Sequence, residues 1–292
     1  MEDRMSFYTL NSMRKKYNIM TVIGIICILA SIISIFISSN RGYFAFFGVI
    51  LMVVGIVLLI KRNKVKKEFN GIYKEEIVRS VLNRHFEEVY YNWEHGFDEK
   101  YVRNMALIAS GNRYRSEDYL RAKYKGVNFQ QADVVIENET TDADGNSSTT
   151  TYFRGRIIEI DFPKMTEFVR TTSKKFKYTR HLKKGEYPYV EMENVLFNKN
   201  FYTYARNSVE AFYLLTPQMM EKLMEIVGTY GNVGVSCFGG KMNIAINTKR
   251  DAFDAKMTRS LQYDREMHDL DHDAELIERL IDIIYSSQAV SN

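Results

Sequence analysis

IMTVIGIICILASIISIFIS, from Ile19 to Ser38, carries no charge and no polar group beyond hydroxyls. An α-helix of that length rises about 30 Å, the thickness of a bilayer's hydrocarbon core. A second uncharged run, YFAFFGVILMVVGIVLLI from Tyr43 to Ile60, follows after only Ser39, Asn40, Arg41 and Gly42. So short a connection makes two spanning helices antiparallel. The sequence therefore predicts a transmembrane hairpin over residues 19–60 behind an N-terminal tail, residues 1–18. A cleaved signal peptide fits less well. The first apolar core is too long, no small-residue cleavage site follows it, and a second span comes at once.

Orientation follows from the basic residues, which stay on the cytoplasmic side of a span. Arg14, Lys15 and Lys16 precede the first run, Lys61, Arg62, Lys64, Lys66 and Lys67 follow the second, and Arg41 stands alone between them. Both termini are expected in the cytoplasm. Cys27 then lies in lipid and Cys237 in a reducing compartment, so no disulfide is expected. The cluster from Lys61 to Lys67 fixes topology and also offers contact to anionic lipid headgroups. Neither run contains an ionisable residue, which argues against a transporter or channel.

Composition excludes other classes. The 292 residues are 46% hydrophobic and 26% charged, with two cysteines and three prolines, unlike a collagen-like, disulfide-stapled or disordered chain. Mean hydropathy, at -0.29, hides the crowding of apolar residues near the N-terminus. The net charge of +4 is too small for a dedicated nucleic-acid binder, and no nucleic-acid partner is expected.

Residues 61–95 read as a membrane-proximal amphipathic helix, with Phe69, Tyr73, Ile77, Val81, Phe86 and Trp93 at helical spacing. Residues 96–260 read as an α+β domain of antiparallel β-hairpins with short helices. Tyr101 to Ser110 predicts a short helix, and Ser116 to Tyr124 another with Ser116 as N-cap. Ala132 to Asn138 and Thr151 to Phe162 predict a hairpin around a long polar loop from Glu139 to Thr150, with Pro163 ending the second strand. That loop's Asp142, Asp144, Gly145 and Asn146 lack the spacing and closing glutamate of a calcium loop. Glu167 to Thr172 suggests a strand. Lys174 to Lys184 is basic with interleaved aromatics, either an exposed loop or a contact for a lipid surface. Phe201 to Ala205 predicts a strand and Ser208 to Leu215 a short helix. Thr216 and Pro217 open a helix packed through Met219, Met220, Leu223, Ile226 and Val227, and Gly228 ends it. Val233 to Phe238 and Met242 to Ile246 predict a hairpin around Gly239 and Gly240.

Three segments carry a family resemblance: FRGRIIEIDFPK from Phe153, VLFNKNFYTYA from Val195 and VEAFYLLTPQMMEKL from Val209. With them the chain resembles the bacterial membrane proteins grouped as domain of unknown function 3137, over most of the cytoplasmic part and the two spans. The resemblance implies a bacterial cytoplasmic (inner) membrane setting and this architecture. That family has no established activity, so it implies no site residue.

No phosphate-binding loop, serine elbow, zinc-protease motif or zinc-spaced cysteine cluster occurs. Ser236 beside Cys237 has no histidine near it in sequence. In the acidic C-terminal segment, residues 261–292, Asp264, His268 and His272 stand four apart and would share one helix face, a candidate metal set. Against that, Asp264 to Asp282 holds eight acidic and two basic residues, the pattern of a solvated helix face with Leu270, Ile277, Leu280, Ile281 and Ile284 turned inward. No cofactor and no catalytic residue is assigned. The sequence is read as a membrane-anchored cytoplasmic binding or scaffold protein; the opposing reading is a membrane-tethered, hydrolase-like enzyme, with or without a metal, whose site is hidden in the linear sequence.

Overall fold

The computed structural model describes residues 2–37, 42–162, 167–176, 187–255, 257 and 259–289. The chain forms two compact units, Met1–Val81 with Phe253–Asp271, and Leu82–Ala252 with His272–Asn292.

In the first unit α1 (Glu2–Ile37) and α2 (Gly42–Ile72) lie against each other, and α2 runs on through a π-helical segment, Tyr73–Val78. Both helices are long and apolar enough to cross a membrane, and their apolar windows are only 11% buried within the protein. Ile19 is 58% exposed and Phe46 72%, which a soluble core helix would not tolerate. The helices touch closely where a Cβ on Gly55 would lie 2.9 Å from the Gly24 carbonyl oxygen. The N-terminal part of α1 packs against the later segment of the same unit. Asn11 donates to the Leu261 carbonyl at 2.9 Å, and Phe7 meets Tyr263 edge to face at 5.2 Å. Lys74, almost fully buried, pairs with Asp254 at 2.9 Å.

The second unit is built on one eight-stranded sheet. Its strands are β1 (Glu87–Asn92), β2 (Arg113–Tyr124), β3 (Val127–Thr141), β4 (Ser147–Asp161), β5 (Val169–Ser173), β6 (Phe201–Ala205), β7 (Asn232–Phe238) and β8 (Lys241–Asn247). They lie in the order β1-β2-β3-β4-β8-β7-β5-β6, antiparallel at every junction. The α+β class and the hairpins are as expected from the sequence. Gly155 sits where β4 crosses β8, since a Cβ there would come 2.0 Å from the Ile246 carbonyl oxygen.

Short helices cover the sheet. α4 (Glu99–Asn104) and the chain on either side of it bring Phe97, Val102, Met105, Leu107 and Ile108 onto one face, over Ala132, Val134, Ile136, Phe153, Ile157 and Ala245. α5 (Val195–Asn200) is capped by Asn194, α6 (Ser208–Leu214) by Asn207 and α7 (Pro217–Thr229) by Thr216, each side chain accepting a backbone N–H. The opposite face of β2 to β4 holds the end of α8 (Tyr263–Ala289). Arg156 reaches the Asp273 carbonyl at 3.1 Å and its carboxylate at 3.3 Å, and Tyr285 donates to the Asp161 carbonyl at 2.8 Å.

Several local expectations are corrected. The helix expected to reach Trp93 ends in α3 (Arg79–His85), and β1 follows. In EEVYYN, Tyr91 is 3% exposed and Tyr90 50%, a period of two that pairing with β2 selects over the equally available helical spacing. Ser116 to Tyr124 is strand, because both its edges pair and Leu120 and Ala122 bury one face; Ser116 bridges Phe97 N and the Asp133 carbonyl instead of capping a helix. The polar stretch 139–150 mostly continues the ladder, leaving a turn tied by Asp142 Oδ1, which accepts from Asp144 N and Asn146 N. β4 is buried on both faces from Gly155 to Ile160, not half-buried. α7 runs one residue past Gly228, to Thr229. Pro163 lies outside the described residues, as do Lys177 to Lys184 of the basic segment.

Candidate functional site

Directly opposed residues of an antiparallel pair share a face. Following the register across the whole sheet, Tyr90, Arg121, Gln130, Glu159, Asn243, Ser236, Arg170 and Tyr204 form one polar row, a single residue from each of the eight strands. The row lies on the face that α4 covers. Its inner part is buried and tied to backbone: Ser236 donates to the Met105 carbonyl at 2.8 Å and Arg170 to the Ala106 carbonyl at 3.5 Å. Buried Asn243 Oδ1 has no hydrogen-bond partner among the described residues. Ser236 is therefore held as a structural donor, and Cys237 beside it is fully buried and forms no disulfide.

Toward β2 the row opens into a cleft of about 240 Å³, walled by Arg121, Asn128, Gln130, Glu159, Asp161 and Lys241. Glu159 is only 6% exposed and takes three donors. Gln130 reaches Oε1 at 2.9 Å, Lys241 the same oxygen at 3.2 Å, and the Tyr101 hydroxyl Oε2 at 2.5 Å. Gln130 is itself fixed, donating to the Tyr101 oxygen at 2.5 Å and accepting from the Tyr119 hydroxyl at 2.8 Å. Burial and the Glu159 carboxylate push the Tyr101 phenol well above its ordinary range. Lys241 also bridges to Asp161 at 2.6 Å, and Asn128 donates to the other Asp161 oxygen at 2.9 Å. Partial burial acts against both charges. The Lys241 ammonium is nonetheless held above its ordinary value by the two carboxylates, and Asp161 below its own by Lys241 and Asn128.

A second polar cluster lies on the opposite face and is closed to solvent. Asp118 sits on a β2 bulge with φ of 61°, accepting from the Tyr91 hydroxyl at 2.5 Å. Asp133 accepts from Ala252 N at 2.5 Å, opposite Arg156 in the register. Burial, then the nearby Asp118 charge, push Asp133 well above the usual carboxylate range, against the pull of Arg156 and the Ala252 N–H.

The residues singled out in the C-terminal segment have other surroundings. His272 Nε2 is 2.8 Å from the Tyr230 hydroxyl, and the rings stack at 5.5 Å. Among the described residues, Asp264, His268 and His272 included, no three His, Cys, Asp or Glu side chains converge as a metal site. Leu270, Ile277, Leu280, Ile281 and Ile284 are all buried, but so are Glu266 and Asp273 on the acidic side, and Glu266 accepts from the Tyr73 hydroxyl at 3.5 Å. Lys174 and Lys175 are the described lysines of the basic segment; Lys174 lies over the Tyr202 ring at 5.0 Å.

These observations define an α+β protein with two apolar helices of spanning length and an all-antiparallel sheet that opens at one side into a polar cleft. Residues 151–285 match the model of the family described as Protein of unknown function (DUF3137), the family that the three motifs resemble. The match begins inside β4 and leaves out the two apolar helices. No curated protein matches the chain. Among solved structures, the crystal structure of the mycobacterial trehalose monomycolate transport factor A, TtfA, aligns over 68% of this chain and 92% of that one, at 10% identity and a TM-score of 0.36. At that score the likeness carries no argument about this chain. The cleft residues Glu159, Asp161 and Lys241 fall within the matched segment; Arg121, Asn128 and Gln130 precede it.

Proposed function

We propose that the chain is a two-pass protein of the bacterial cytoplasmic membrane that binds a small polar ligand in the Glu159 cleft and performs no chemistry on it. The observation that carries this is the state of Glu159. A general base needs a lone pair facing its substrate, and this carboxylate already takes three donors. What the cleft offers is fixed charge and hydrogen-bonding geometry, the equipment of recognition. Both termini lie in the cytoplasm by the asymmetry of lysine and arginine around the hairpin, and Lys61, Arg62, Lys64, Lys66 and Lys67 meet anionic lipid headgroups there.

The test is to incubate the full chain, in detergent, with a polar metabolite extract of bacterial cells and to follow solution and denatured protein by mass spectrometry. One compound should be withdrawn from solution and recovered unchanged from the protein. Appearance of a new product that depends on the chain would replace binding with catalysis.

A further inference from the structure

The cleft is electrically lopsided. On the β4 and β8 side, Glu159 and Asp161 share one ammonium, that of Lys241, at 3.2 and 2.6 Å, so this trio carries a net charge of -1. On the β2 side stands the Arg121 guanidinium, exposed, its carbon 5.5 Å from the Tyr90 ring centroid. Among the described residues it has no hydrogen bond or ion pair. Its backbone is two strands from that of Glu159, about 10 Å. Between the two charged sides lies Gln130, neutral and locked by its own bonds. The cleft as a whole is neutral, with a positive and a negative wall. A lone anion would face the two carboxylates and a lone cation would face Arg121; a molecule carrying both charges meets neither penalty. The volume of about 240 Å³ is that of a compound of about eight heavy atoms, taking about 30 Å³ for each water-sized unit.

Building on the reading of the cleft as a binding site, we propose that its ligand is a small zwitterion in which a primary ammonium lies close to a phosphate or carboxylate. Arg121 takes the anionic group, as a guanidinium does through paired N–H donors. The ammonium, with three donors, sits toward Asp161, the more exposed carboxylate of the trio that carries the excess negative charge. Such a group occurs in free metabolites and in the headgroup of ethanolamine phospholipids.

The test is isothermal titration of the full chain in lauryl maltoside, a detergent without charged groups, using O-phosphoethanolamine and β-alanine as the phosphate and carboxylate zwitterions. Ethanolamine, inorganic phosphate and phosphocholine, whose quaternary ammonium has no N–H, are the comparison compounds. At least one of the two zwitterions should bind at least tenfold more tightly than any of those three. Arg121→Ala should weaken it at least tenfold, with partial recovery in Arg121→Lys, and Asp161→Asn should reduce the preference for primary over quaternary ammonium. Dihexanoyl phosphatidylethanolamine distinguishes the sources: binding at least as tight as the soluble zwitterion marks a lipid headgroup, and exclusion marks a free metabolite. Equal binding of phosphate or phosphocholine, an unchanged affinity in Arg121→Ala, or no binding of either zwitterion overturns the proposal. If a different metabolite is retained and its affinity changes at least tenfold in Lys241→Ala, only the ligand class falls; if no retention depends on Lys241, the reading of the cleft falls with it.

Discussion

Gln130 stands directly opposite Glu159 across β3 and β4, and one amide nitrogen donates both to Glu159 Oε1 at 2.9 Å and to the Tyr101 oxygen at 2.5 Å. The carboxylate is thus held by neighbours that are themselves held, which fixes its geometry before any ligand arrives. Tyr101→Phe removes one donor from a carboxylate that is almost fully buried and leaves the rest of the ring in place. It is expected to destabilise the protein by about 1–3 kcal/mol, the cost of an unmet buried acceptor, as read from the shift of a denaturant midpoint.

The Asp133 cluster should make stability depend on pH in an uncommon direction. Burial and the Asp118 charge raise the Asp133 pKa, so the folded state keeps a proton that the unfolded chain releases near pH 4. Stability from this group is therefore greatest below that pH and declines as pH rises toward the folded-state value. Thermal midpoints across that range should fall less steeply in Asp133→Asn than in the unaltered chain. An identical slope in both would remove Asp133 from the explanation.

Leu280, 0% exposed, anchors the end of α8. Leu280→Ala is expected to cost about 2–5 kcal/mol, as large-to-small changes at buried leucines do. The double change His268→Ala, His272→Ala should cost no more than about 1.5 kcal/mol, the worth of the His272 to Tyr230 hydrogen bond, and leave metal content unaltered. One equivalent of zinc in the unaltered chain, lost in the double variant, would make His268 and His272 ligands after all.

What the sequence revealed, it revealed where one pattern outweighed its alternatives. The two runs Ile19 to Ser38 and Tyr43 to Ile60 have the length and apolarity of spanning helices, and Thr216 with Pro217 marks a helix start. Glu87 to Asn92 and Ser116 to Tyr124 satisfied helical and strand spacing alike, and long-range pairing with β2 and β3 decided them. The cleft was hidden for a related reason. Arg121, Gln130, Glu159 and Lys241 lie on four strands and become neighbours only through register, which no local spacing records. The alternation through Glu159 and Asp161 was visible in β4, but a carboxylate pair in one strand means nothing until Lys241 is set beside it. Buried Glu266 and Asp273 escaped for the same reason, since their partners Tyr73 and Arg156 are far away in sequence.

Membrane topology is open to a direct check. Fused after Asn292, a reporter that works only outside the cytoplasm should stay silent, and one that works only inside should be active. The opposite pattern would invert the orientation drawn from Arg14, Lys15, Lys16 and the Lys61 to Lys67 cluster.

The binding role of the cleft is tested most directly by equilibrium dialysis of the metabolite retained by the full chain, comparing the unaltered protein with Lys241→Ala at matched thermal stability. Removing Lys241 leaves Glu159 and Asp161 without their shared counter-charge, and the affinity should change at least tenfold, about 1.4 kcal/mol or more. Equal affinity in the two proteins would contradict the cleft as the site of binding.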